Sequence, residues 1–334
     1  MSRVCTNAHQ ENREIMKMER DYFWFRLFKT HGIGAKSLAC IVKILEKKSL
    51  SGEILLGNRS GEIMQHPELA KYSVKISQED EDKVLAEFEL LKDSSVDIIH
   101  PRHPSFPPYL LEIAPMLFIA GQRMLLTSDS VAIVGSRNVS DMGACIAREL
   151  AGQLAIKKFN IVSGYAKGVD HYAHLGALAA EGTTTMVLPY GIMKLRQDSA
   201  FREFNWREDV LVVSQFNPGD RWREHNAMIR NKLICALSKA VVVIESGPER
   251  DAQGKMSGTF NTAQTALRMN LPLFVISPEC LDNPPNGNEN LIDLGGERLN
   301  PDGAAETISK RISAAQTELS PGKKQDSHVQ LEFL

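Results

Sequence analysis

No stretch of this 334-residue chain approaches the roughly 20 uninterrupted apolar residues a membrane-spanning helix needs. The first 20 positions, MSRVCTNAHQENREIMKMER, mix both charge signs and lack the apolar core of a signal peptide. The expectation is a cytoplasmic protein with no membrane partner. An excess of either charge is also missing: 39 Lys+Arg stand against 41 Asp+Glu, for a formal net charge of -2. No global field draws the chain onto nucleic acid or anionic lipid, so any such binding must come from a local patch. Cysteine is scarce, with five residues (Cys5, Cys40, Cys145, Cys235 and Cys280) far apart. That spacing excludes a C-x-x-C redox motif, a paired metal-ligand motif and a disulfide scaffold. No metal site and no cofactor are expected. Internal repeats and low-complexity blocks are absent too, whereas 43% hydrophobic residues suffice for the cores of about two domains.

From Tyr22 to Leu56 apolar residues recur every three or four positions on both sides of Gly32-Ile33-Gly34, which predicts two short helices around a tight turn. A further helix over 78–92 follows the turn-rich stretch 57–67 and completes an N-terminal helical domain over 1–95. Proline then crowds the segment IIHPRHPSFPPYLLEIAPMLFIAG, which reads as a structured connector into a strand over 116–120. Beyond Asp129, short Val/Ile runs alternate with amphipathic stretches, the rhythm of βαβ units around a parallel sheet. Strands are expected over 130–134, 160–163, 184–188, 210–214, 240–244 and 272–276. Helices are expected over 142–157, 169–180, 196–206, 225–237, 259–269 and 303–316. The fold class is therefore α/β, a mostly parallel, doubly wound, Rossmann-like sheet over 96–317, followed by a polar, flexible tail over 318–334.

Four segments at strand ends carry donors. The run VAIVGSRNVSDMG ends a strand in Gly135-Ser136-Arg137 just before a helix, where backbone N–H groups, a hydroxyl and a guanidinium suit an anion. The next strand ends likewise, in Ser163-Gly164-Tyr165-Ala166-Lys167-Gly168, so two glycine-rich turns lie side by side and Lys167 adds a cation. Asp170 is expected to cap the following helix, and His174, one turn on, lies within its reach; both are assigned structural roles. Arg230, Asn231 and Lys232 interrupt an otherwise apolar helix, and Ser257-Gly258-Thr259 opens another. No nucleophile and base pair up among these residues, which points to binding of an extended polyanion rather than bond breaking. The glycine spacing is not G-x-G-x-x-G and the second strand ends in Ser163 instead of an acidic residue, which argues against a nicotinamide-dependent oxidoreductase.

Taken in order, VGSR…G, SGYAKGVDHYAH…GAL…G, RNKLICALS, SGTFNTA and GNENLIDLG resemble the motifs of the DNA-processing protein A (DprA, or Smf) family, with similarity from about Ile98 to about Leu299. The resemblance implies an extended Rossmann-like domain that binds single-stranded DNA, usually as a homodimer, and loads a RecA-type recombinase during DNA uptake and transformation or in repair. Carried over by motif, Gly135, Ser136, Arg137, Ser163, Gly164, Lys167, Arg230, Asn231 and Lys232 line the phosphate-binding cleft. Residues 22–56 resemble the helix-hairpin-helix (SAM-like) module that precedes this domain in the family. Lys167 and Lys232 stand where the family generally has Arg, which keeps charge but loses the bidentate fork. Ala227 stands where an aromatic is common, and the stretch PERDAQGKM lengthens a loop before Ser257. The winged-helix domain with which many members end is not expected in this sequence. Its last residues, Gln330, Leu331, Phe333 and Leu334, are similar to the short peptides that dock bacterial replication sliding clamps. The competing reading is a nucleotide-binding or nucleotide-cleaving enzyme or sensor of the same superfamily, with Glu245 as its acidic residue and Ser257-Gly258-Thr259 as its phosphate loop.

Overall fold

The computed structural model describes residues 20–50, 52–56, 65–76, 80–282 and 286–319. The clamp-like residues Gln330, Leu331, Phe333 and Leu334 lie outside them.

Residues 20–29 and Ala35–Lys47 form the two expected helices. The second buries Leu38, Ile41, Val42 and Leu45, a stripe at helical spacing. The chain reverses at Gly32, whose φ of +75° lies in the left-handed region that a side chain disfavours. A helix over Pro67–Ile76 was not expected: Pro67, read as the end of a turn region, instead opens a helix, the one helical position where its missing N–H costs nothing. Helix Glu81–Asp93 is capped by Asp80, which accepts the Lys83 N–H at 3.2 Å.

The sheet has nine strands: β1 (Asp97–Ile99), β2 (Leu117–Gly121), β3 (Ser130–Val134), β4 (Asn160–Ser163), β5 (Thr184–Val187), β6 (Val210–Ser214), β7 (Ala240–Val243), β8 (Leu273–Ile276) and β9 (Glu297–Leu299). Their spatial order is β1-β2-β6-β5-β4-β3-β7-β8-β9. The seven from β6 to β9 are parallel, and β2 and β1 add an antiparallel edge. This is the expected mostly parallel, doubly wound sheet. Strands β3, β6, β7 and β8 are near-continuous apolar runs, buried throughout because helices cover both faces. Along β3, Val131 and Ile133 pack on the helices Asp141–Ile156 and Val169–Ala179. Ala132 and Val134 face the opposite layer, where Glu224–Ala236 and Gly258–Arg268 supply Leu233, Ile234, Phe260 and Ala263. The N-terminal helices pack on the end of the first face: Phe25, Phe28 and Phe88 share one core with Phe118, Met186 and Val212, and the Phe28 and Phe118 rings lie 5.3 Å apart.

One expected helix does not form. Residues 196–206 hold only a short turn at Ser199–Phe201, and a four-residue helix Trp206–Asp209 follows. Asp198 caps Ala200, Asn205 caps Arg207, and the Trp206 indole donates to the Phe201 carbonyl at 2.8 Å. Those side chains take backbone groups that a continuous helix would have paired internally. Two short strands went unforeseen, β1 and β9, as did helix Gly287–Asp293. Three-residue strands carry too little pattern to read, and β1 tolerates the following prolines because it lies at the sheet edge.

Candidate functional site

Strand order reverses at β3, with β4 on one side and β7 on the other. At such a switch point the loops leave the carboxyl ends of neighbouring strands in opposite directions and open a crevice. Here the crevice encloses about 570 Å³. Its walls are the turn after β3, the long loop between β7 and helix Gly258–Arg268, and the first turns of helix Glu224–Ala236. Hydrogen bonds fix the first wall: Ser136 N–H donates to the Glu245 carbonyl at 2.8 Å, and Val169 N–H donates to the Ser136 carbonyl at 3.1 Å. Two glycines make that approach possible. A Cβ on Gly135 would sit 2.5 Å from Val169 Cγ2, and one on Gly168 (φ +78°) would sit 2.2 Å from the Ser136 carbonyl.

Of the residues singled out in the sequence, the crevice brings together Gly135, Ser136 and Arg137, Arg230 and Asn231, and Ser257, Gly258 and Thr259. Asp170 joins them in the lining, and the others sit elsewhere. Ser163 is buried and donates its hydroxyl to the Ile133 carbonyl at 2.6 Å. Gly164 is buried under Arg230, so near that a Cβ would lie 1.8 Å from Nη1. Lys167 is exposed on the loop beside the Ser136-Arg137 turn, and Lys232 is exposed outside the crevice lining. Adjacent helix residues diverge by about 100°, so Arg230 and Asn231 turn inward while Lys232 faces water. Asn231 donates to the Gly258 carbonyl and to Asn261 Oδ1, each at 3.1 Å, and so ties the two helices that form this wall.

The helix start after Arg137 differs from its sequence reading. Ser140, the N-cap, donates both its N–H and its hydroxyl to the Glu245 carboxylate, which arrives from the end of β7. This carboxylate lies over Gly143, where a Cβ would meet Oε1 at 2.2 Å. The positive end of helix Asp141–Ile156 is thus occupied by the protein's own anion. A dinucleotide pyrophosphate would need that position.

Beneath the crevice lies a buried polar cluster. Asp170 does not cap the helix as expected: Gly168 is the N-cap residue, and Asp170 accepts the N–H groups of Gly164 and Ala166 at 3.1 and 3.3 Å, thereby closing the loop. Burial pushes its carboxyl above the ordinary range, against the opposing pull of Arg230 and these hydrogen bonds. Arg230, only 6% exposed, is itself lowered to about 10, first by burial, while Asp170 draws it back up; it stays protonated at neutral pH. Its Nε has no hydrogen-bond partner. His174 reaches Thr184, not Asp170. The Thr184 hydroxyl already donates to the Ile161 carbonyl at 2.7 Å, so it accepts from His174 Nδ1–H at 2.6 Å. Nε2 is left without a partner, and burial lowers the imidazole to about 3.

Sequence reading missed Trp222. It borders the crevice, 49% exposed, and the Arg137 guanidinium lies 5.8 Å from its ring centroid. Arg221 and Arg223 flank it, both exposed. The signal was there, an aromatic between two arginines, but the stretch read as a loop leading to a helix start. Among the described residues, none of Arg137, Lys167, Arg221, Arg223 and Lys232 has an acidic partner within 4.0 Å. The inserted stretch before Ser257 forms a tight hairpin, in which Asp251 Oδ1 accepts the N–H groups of Gln253 and Lys255 at 2.9 Å, and Lys255 pairs with Glu224 at 3.2 Å. Among the described residues no helix is long and apolar enough to cross a membrane.

The sequence profile of the family described as DNA recombination-mediator protein A matches residues 97–310. The DNA processing protein DprA of Streptococcus pneumoniae is 30% identical over 265 residues, 77% of this chain and 88% of that protein. Protein Smf of Synechocystis is 28% identical over 288 residues, 82% of this chain and 69% of that protein. Among solved structures, S. pneumoniae DprA shares the fold at a TM-score of 0.69 and 24% identity, covering 87% of this chain and 97% of that one. DNA processing protein A of Helicobacter pylori, whose structure concerns its single-stranded DNA binding mode, aligns at a TM-score of 0.53 and 25% identity over 65% of this chain and 96% of that one. With its matched region spanning the whole sheet and the crevice at the switch point, the chain belongs to the DNA recombination-mediator protein A family.

Proposed function

We propose that the crevice at β3 and β7 binds the backbone of single-stranded DNA. The observation that carries this reading is the set of cations that, among the described residues, have no acidic partner around a donor-rich crevice, Arg137 with Arg221, Arg223 and Lys167. In a chain with a net charge of -2, such a cluster is the local patch that phosphate binding requires. Phosphate contacts fall to Arg137, to the Ser136 hydroxyl beside Gly135, and to Ser257, Gly258 and Thr259, with Arg230 as the buried cation beneath. Ser163, Gly164 and Asn231 shape the cleft, and Lys232 takes part from outside its lining. The site binds rather than cleaves: Glu245, the acid a nucleotide hydrolase would use, is engaged by both donors of Ser140.

In the same reading the protein works in the cytoplasm as a homodimer and passes the strand to a RecA-type recombinase in DNA uptake or repair, and its tail docks a sliding clamp. Residues 1–95, 96–317 and 318–334 are its helical, DNA-binding and tail segments. The test is fluorescence anisotropy of labelled oligo-dT and of its duplex across several salt concentrations. Preferential binding of the single strand, weakening with salt, is expected; no binding, or equal affinity for the duplex, overturns the reading.

A further inference from the structure

Resting on that reading, we infer that Trp222 is the platform on which an unpaired base of the bound strand stacks, in place of an aromatic on helix Glu224–Ala236. Position 227, on the first turn of that helix, lines the crevice as alanine. Among the described lining residues Trp222 is the one aromatic. A large apolar ring is normally buried, as Trp24 is at 2% exposure, whereas Trp222 leaves half of its surface in water at the crevice edge.

Arg137 holds the ring. Its guanidinium lies 5.8 Å from the centroid, which orients the indole and leaves the remaining surface for a second partner. The same Arg137 lines the crevice proposed for the phosphate backbone, so a nucleotide whose phosphate meets Arg137 brings its base to the indole. Arg221 and Arg223, exposed on either side, favour a polyanion over an apolar peptide at this edge. Every base has a π-face, so this platform gives affinity without sequence preference.

The test compares wild type, Trp222→Ala and Trp222→Phe in full-length form, with labelled oligo-dT, an oligonucleotide of equal length built of abasic residues, and thymidine monophosphate as competitor. Trp222→Ala is expected to weaken oligo-dT binding about fivefold to a hundredfold, with Trp222→Phe within a few-fold of wild type. On the abasic strand, wild type and Trp222→Ala should bind alike and more weakly than wild type binds oligo-dT. Indole emission should be quenched by oligo-dT and not by the abasic strand, and the quench should vanish in Trp222→Phe. Equal affinity of wild type for the two strands overturns the inference even if an alanine variant fails to fold. Unchanged binding by a folded Trp222→Ala overturns it as well. Competition by the mononucleotide at oligonucleotide-like concentrations overturns the strand as occupant. That competition, or failure of wild type to bind any strand, overturns the proposed function and this inference together, whereas the first two outcomes leave strand binding intact.

Discussion

Arg230→Ala should unfold the crevice before it reports on DNA. Arg230 is 6% exposed, lies against Gly164 and faces the buried Asp170. Truncation removes the cation that opposes the burial of this carboxylate and leaves it to local donors such as the N–H groups of Gly164 and Ala166. No ion pair within 4.0 Å joins Arg230 to Asp170, so the loss is that of an opposing charge near a buried carboxylate, about 1–3 kcal/mol. For a domain of this size that is a fall in Tm of about 2–12 °C. The pH dependence gives the sharper check. Without Arg230 the Asp170 carboxyl rises further, and a raised carboxyl contributes stability that is present at low pH and lost as pH climbs through its folded value. The gap between wild type and Arg230→Ala should therefore widen from acid toward neutral pH. The double variant Arg230→Met with Asp170→Asn should recover most of the loss. Thermal unfolding followed by circular dichroism between pH 4.5 and 8 measures all three. A Tm within about 2 °C of wild type, or a gap that does not change with pH, would refute the reasoning.

Three further outcomes are expected. Arg137→Ala, an exposed cation at the crevice, should leave Tm unchanged, weaken oligo-dT binding and lower the slope of log affinity against log salt by about 1 in anisotropy titrations. His174 is held neutral with its imidazole lowered from 6.5 to about 3, so its contribution is full above pH 6.5 and drains as pH falls toward 3. The whole swing is worth about 5 kcal/mol, and His174→Gln should flatten the acid limb of a urea-unfolding series relative to wild type. Deleting residues 1–95 should strip Phe25, Phe28 and Phe88 from the core they share with Phe118, Met186 and Val212, and yield an aggregating or dye-binding fragment. A monomeric fragment with a sharp thermal transition would count against that shared core.

Much of the sheet was legible because its signals are local. Val/Ile runs such as 130–134 and 240–243 mark strands buried on both faces, and the stripe at Leu38, Ile41, Val42 and Leu45 marks a helix with one buried face. The glycine turns after β3 and β4 were legible for the same reason, since few residues besides glycine suit a φ of +78° at Gly168. Residues 196–206 misled because an apolar helical spacing there is overruled by caps at Asp198 and Asn205. Short β1 and β9 offered too few residues for any period to show.

The sequence by itself determined the order of strands and helices, the places where backbone must approach backbone, and a set of donors at strand ends. Only the tertiary structure decided what those donors do. Packing put Arg230 beneath the crevice and Arg137 at its edge, a distinction that no property of an arginine in a chain can carry. It brought Glu245 across 105 residues to occupy a helix start that reads as open, and it set Trp222 beside Arg137. Burial, charge pairing and ring contact depend on partners distant in sequence, and those partners are chosen by the fold as a whole.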